Sequence, residues 1–260
     1  MATDSTVLVS NSRYLNEPRL RDWLATAYLR KSGKDSPTTL DAHKLYGILA
    51  DIFDVPRIEE LFTAERKRWP ELDAWFAEGF SSNFTVDELL SHPEGSLGHT
   101  FGRYLRDNGF EIDIVPRFTP RNQFEYFSLR SGQTHDLEHI VCGGGFDIIG
   151  ELVPYFARLS NLPRFLDPEL AGIVNAGQVL GAFRLMTRTA LHYQAAFPAA
   201  LAAMQAGTKV GEQSDPVFMM KYEDVFHLPI AEAREALGIR GAPARNVDTA
   251  AASLEWDEYR

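Results

Sequence analysis

The stretch HDLEHIVCGGGFDIIGE, running from His135 to Glu151, decides how this chain is read. Its first half fits a helix, and three glycines in a row, Gly143 to Gly145, then interrupt it. Each glycine weakens a helix by roughly 1 kcal/mol relative to alanine and adopts φ > 0 freely, so the chain is expected to turn back here into a second helix. His135 and His139 stand one helical turn apart and about 40° apart around the axis, at about 100° per residue. That spacing lets two imidazoles reach one cation. Asp136 falls about 60° from His139, near enough to join from the side. On an unbroken helix Glu151 would lie about 18 Å from His139. With a fold-back at the glycines, Glu151 sits about one turn into the second helix, capped by Asp147, and faces the histidines. The plainer alternative is a solvated or hydrogen-bonded histidine pair, with Gly143–Gly145 as a helix C-cap and loop. The residues alone leave both open.

Working outward, helical periodicity covers nearly the whole chain. Asn16 and Pro18 mark a start, followed by Leu20, Trp23, Leu24, Ala27 and Tyr28 at helical spacing. Pro37 precedes a helix with Leu45, Ile48, Leu49 and Ile52 on one face. Further helices are expected at 57–68, from Pro70 through Phe76, and after a capping box of Thr85 and Glu88. Others are expected at 97–107, 122–130, 134–142, 147–159, 167–187 and 190–206, with a last one from Pro229 to Gly238. EIDIVP, residues 111–116, alternates and reads as a short extended piece. The expected fold is all-α, a single-domain multi-helix bundle carrying a metal site at a helix–loop–helix. Residues 1–15 are expected to be a flexible N-terminus, 16–239 the helical domain and 240–260 a loose C-terminal tail.

Composition excludes several function classes. The 260 residues are 45% hydrophobic and 24% charged, as in globular proteins, with a formal net charge of −10 and no long basic run. Phosphate neutralisation needs clustered Lys and Arg, so nucleic acid is not an expected partner, and neither is plain electrostatic attraction to anionic lipid. The single Cys142 rules out an internal disulfide. The N-terminal residues lack signal-peptide and transit-peptide features, and no apolar run reaches the roughly 18 residues of a spanning helix. His135-Asp136-Leu137-Glu138-His139 also reads H-x-x-E-H, the inverzincin protease signature, with Glu138 as general base. Such proteases need a third ligand far downstream in an α/β frame, which an all-α pattern does not supply. His43, His92, His99, His192 and His227 lack matching neighbours and are read as structural or surface residues.

HD-x-x-H, eleven residues and then Glu, here His135, Asp136, His139 and Glu151, resembles the signature of the coenzyme Q biosynthesis protein 4 family. PEGSLGHTFGRYLRDNGF (93–110) and KYEDVFHLPIAEAREALGI (221–239) resemble its flanking and closing segments, so the likeness spans about 20–239 in the family's order. The chain departs from the family pattern at Gly143–Phe146 and at Glu138. The resemblance implies an all-α protein of ubiquinone biosynthesis that dimerises and lies peripherally on a membrane, on its cytoplasmic side. It implies a divalent metal, zinc above all, held by His135, Asp136, His139 and Glu151. It also implies a link to replacing the ring-carbon-1 carboxylate of a polyprenylated hydroxybenzoate with hydroxyl. A lipid-binding scaffold that organises other ubiquinone-biosynthesis proteins around a structural metal is the competing implication. On the metal reading Glu138 is dispensable. Arg103, Tyr104 and Arg130 lie near the motif in family order and are candidates to hold an anionic head group, each with a plain helix face as the alternative. A polyprenyl substrate or other lipid needs a greasy path, and Gly177 and Gly181, a GxxxG within 169–197, offer either a channel or close helix packing.

Overall fold

The computed structural model describes residues 10–31, 41–108 and 117–252, with no side chains described at 41–43. The expected extended piece at 111–116 lies outside the described residues, as does Pro37, and nothing is described of the His43 side chain. Within the described residues the α-helices run α1 (Pro18–Leu29), α2 (Asp41–Ile52), α3 (Val55–Arg68), α4 (Pro70–Glu78), α5 (Val86–Leu90), α6 (Leu97–Asp107), α7 (Gln123–Cys142), α8 (Leu152–Asn161), α9 (Pro168–Val174), α10 (Ala176–His192), α11 (Phe197–Gln213) and α12 (Ile230–Ala236). Among the described residues there is no β-strand, only an isolated bridge between Ser96 and Pro229. The all-α expectation holds.

Local chemistry explains most boundaries. Asp54 caps α3, whose second residue is Pro56. Thr85 and Glu88 close the expected capping box on α5. Ser96 caps α6 and Asn122 caps α7. Four boundaries differ from expectation. The helices at 122–130 and 134–142 are one continuous α7, because Arg130, Gln133 and Thr134 find buried partners without breaking the backbone. The helix expected at 167–187 divides at Asn175, and its second part runs on to His192. The helix expected at 190–206 begins only at Phe197, after Tyr193 leaves helical geometry, and ends at Gln213. The helix expected from Asp147 starts at Leu152, and a turn fills the interval, closed by the Gly150 amide on Asp147 Oδ1 (2.9 Å).

The largest apolar core joins α6, α7, α8, α10, α11 and α12. A second, aromatic core joins α3, α4 and the first half of α7, and a third joins α1 and α2. Residues 10–15, from the stretch expected to be flexible, are anchored by the Tyr14 ring against Phe53 (6.3 Å between centroids). The expectation of a loose tail at 240–260 is corrected for its described part, residues 240–252. Pro243 abuts Gly143, the Val247 amide donates to Gly143 O (3.0 Å), and Thr249 is buried and donates to Asp147 Oδ2 (2.7 Å). Apolar side chains at Ala242, Val247 and Ala252 give this stretch a core face that its polar composition hides.

Candidate metal centre

α7 ends at the first of the three glycines. Gly143 is left-handed (φ 82°), and its amide and that of Gly144 both donate to His139 O (3.1 and 2.9 Å). This satisfies an end carbonyl as a C-terminal cap does. The glycine reading and the C-cap reading are therefore both right: the cap is the hinge. Beyond it, α8 runs back along α7 and carries Glu151 at its N-cap position.

The fold-back brings His135, His139 and Glu151 together, one ligand atom from each lying within 4.8 Å of the others. His135 Nε2 stands 3.2 Å from Glu151 Oε2. His139 Nε2 stands 3.6 Å from the same oxygen, beyond hydrogen-bonding range, and this buried nitrogen has no hydrogen-bond partner. On the other side of the ring, His139 Nδ1 lies 2.7 Å from Gly145 O. A carbonyl only accepts, so in the neutral ring Nδ1 carries the proton and Nε2 presents its lone pair to the group. This is the support that metal-bound histidines usually have. Burial disfavours charge on both His139 and Glu151, but their mutual attraction outweighs it. His139 holds a proton more readily than usual, and Glu151 sits well below the ordinary glutamate range. A partnerless buried nitrogen, a second imidazole and an ionised carboxylate converging on one point fit a divalent cation, zinc included. Asp136, the fourth expected ligand, is not in this group. It is half-buried close by, and its charge helps to raise His139.

Tyr104 is joined to the centre through Phe146. Its ring stacks on Phe146 (3.5 Å, 14°), which stacks on His139 (5.0 Å, 21°). Burial raises the Tyr104 phenol above its usual range, and Asp136 and Glu151 add to this. Arg103 does not reach it. It pairs with Asp107 (3.2 Å) on the exposed face of α6. Arg130 is corrected too. It is 1% exposed and spent on Ser82 Oγ (2.8 Å), Gln133 Oε1 (2.9 Å) and the Glu223 carboxylate (3.2 Å), so it holds the interior rather than a head group. Gly177 and Gly181 do not open a channel. A Cβ at each would come within 2.6 Å of the Tyr46 ring and 2.9 Å of the Tyr155 ring, so aromatic rings fill the space. Glu138 is no general base: it is buried and bound twice by Arg158 (2.6 and 2.8 Å). Sequence reasoning missed Phe146, Gly145 O and Arg158. Only Phe146 had a signal, an aromatic directly after the glycines.

An all-helical chain with a His–His–Glu ligand group across a glycine-hinged helix pair defines a class of candidate metalloprotein. Residues 80–243 match the profile of coenzyme Q (ubiquinone) biosynthesis protein Coq4, and the chain belongs to that family. The mitochondrial ubiquinone biosynthesis protein COQ4 homolog of Mus musculus is 27% identical over 167 residues, covering 62% of this chain and 57% of that protein. The mitochondrial COQ4 of Clavispora lusitaniae is 26% identical, covering 63% and 48%. The chain thus spans about half the length of these curated relatives. A crystal structure from Nostoc punctiforme shares the fold, with a TM-score of 0.62 at 21% identity over 85% of this chain and 94% of that one.

Proposed function

We propose that this protein acts in ubiquinone biosynthesis as a metal-dependent oxidative decarboxylase, replacing the ring-carbon-1 carboxylate of a polyprenylated hydroxybenzoate with hydroxyl. The observation that carries the reading is the convergence of His135, His139 and Glu151 around a buried nitrogen that lacks a partner. Three protein ligands are the number typical of catalytic rather than structural zinc, whose closed sites use four. The His135 side chain is 28% exposed while that of His139 is 1% exposed, so a substrate approaches from the His135 side. A divalent cation in this group supplies Lewis acidity toward a carboxylate or phenolate.

The protein's own residues do the rest. Gly145 O keeps the His139 tautomer fixed, and the Tyr104–Phe146 stack shields the ligand group on one side. The conversion releases carbon dioxide and removes two electrons from the ring. Zinc has no redox chemistry, so dioxygen would be the two-electron oxidant, reduced to hydrogen peroxide while water supplies the oxygen of the new hydroxyl. The polyprenyl tail requires the protein to meet its substrate at a bilayer, and no helix among the described residues is long and apolar enough to cross one. We therefore infer a peripheral membrane attachment, and from membership of the family other enzymes of the pathway as neighbours and a second copy of the chain as partner.

The test supplies liposome-borne polyprenylated hydroxybenzoate, labelled with ¹³C in the ring carboxylate, together with dioxygen. Labelled carbon dioxide and a ring-hydroxylated product are expected, both abolished by His139→Ala. Lipid binding with metal retained but no release of label would support the scaffold instead.

A further inference from the structure

The candidate ligands come from two elements joined by the 143–151 loop, and a metal centre needs its ligands held within about 0.5 Å. The principal packing partner of α8 is α11 rather than α7. Apolar packing is non-directional, so the α8–α11 contact does not by itself set where α8 stands along α7. The charged group that crosses from α8 to α7 among the described residues is Arg158. It lies two turns beyond Glu151 on the same face of α8.

The Arg158 side chain is 7% exposed, and each hydrogen bond described for its guanidinium ends on α7. Nε donates to Glu138 Oε2 (2.6 Å) and Nη2 to Glu138 Oε1 (2.8 Å). Nη1 donates to Ser131 Oγ (2.8 Å), and Nη2 also reaches Ser131 O (2.6 Å) and Thr134 Oγ1 (3.4 Å). Thr134 Oγ1 donates to Glu138 Oε1 (3.0 Å), the oxygen that Nη2 also binds. A planar fork bound at two edges fixes direction as well as distance, which a lysine cannot do. Glu138 directly precedes His139, so the anchor lies within the same turn as the ligands.

We propose that Arg158 is a positioning residue of the metal centre: clamped to Glu138, Ser131 and Thr134, it sets the register of α8 on α7 that brings Glu151 against His135 and His139. This rests on those three residues holding a divalent metal. Removing only one partner of the pair strands a buried charge, so the informative variant is the double substitution Glu138→Leu with Arg158→Met, which leaves an apolar contact. Arg158→Lys is the second variant; it keeps the charge and loses the fork. Zinc affinity by chelator competition, the cobalt(II) absorption spectrum and the melting point of the metal-free protein are measured for both, beside wild type, His135→Ala and Glu151→Gln. Both clamp variants should lose about 10–100-fold in zinc affinity. Their cobalt spectra should shift toward that of Glu151→Gln, with the melting point of the double variant close to wild type. Wild-type affinity and spectrum in either folded clamp variant overturn the proposal, while a loss in His135→Ala in the same experiment leaves the metal centre standing. A wild-type chain that binds no zinc, with His135→Ala no different, overturns both.

Discussion

The ring of His139 is 1% exposed, with one nitrogen anchored on Gly145 O and the other unpaired. Leaving a buried polar atom unpaired costs about 1–3 kcal/mol, a cost that a bound cation removes. The pH dependence follows with a definite sign. The pKa of His139 is raised, so in the metal-free protein its contribution is present below the ordinary histidine value of 6.5 and lost as pH rises through its folded value. The pKa of Glu151 is lowered, so its contribution is present above the ordinary glutamate value of 4.5 and lost as pH falls through its folded value. The metal-free pair therefore stabilises most between those two values. Metal binding needs unprotonated imidazoles and runs the other way. Zinc should raise the melting temperature more at about pH 7.5 than at about pH 5.5. A larger shift at the lower pH would contradict the ligand assignment. At Glu138, substitution by Gln leaves the Arg158 charge uncompensated and should cost about 3–5 kcal/mol in urea unfolding. A neutral result would show the pair to be idle. The histidine spacing was legible because it is local. The Arg158 partnership was not, since it joins residues twenty apart whose pairing only the packed helices create.

Among the elements, the glycines that matter most for packing are not the ones singled out from the GxxxG at 177 and 181. Those two admit tyrosine rings, whereas Gly207 and Gly211 of α11 let backbone meet backbone. A Cβ at Gly207 would collide with Val153 O, and one at Gly211 with Ala157 O and Ser160 Oγ. Gly211→Val should cost about 1–3 kcal/mol by overpacking, read as a lower urea midpoint. An unchanged midpoint would mean that α8 and α11 separate freely. This second small-residue pair was visible in the sequence, but spacing does not say which glycine pair faces a backbone and which a ring. Boundaries fared similarly. Caps such as Ser96, Thr85 and Asn122 are local chemistry and can be read directly. The continuity of α7 through Gln133 and Thr134 depends on Ser81 and Arg158, supplied from elsewhere in the fold.

Across the whole molecule, α10 is turned inside out. Arg184 and Arg188 are buried, while Val179, Phe183 and Leu191 are 39%, 49% and 55% exposed. Around Phe183 the helix is mixed: Phe183 is exposed, Met186 is half-buried and Leu185 is buried in the core. With a net charge of −10, attachment to a bilayer has to use such apolar side chains rather than a basic patch. Flotation with liposomes should survive high salt and weaken in Phe183→Ser. Complete release at high salt would contradict apolar attachment. The central claim is that one divalent metal sits where α7 and α8 meet. It is tested most directly by the metal content per chain of zinc-loaded wild-type protein beside His135→Ala, after exhaustive dialysis. About one equivalent in wild type and its loss in the variant is the expected result, a ligand costing more than the about 10–100-fold of a supporting residue. Equal metal in both proteins, or none in either, would contradict it.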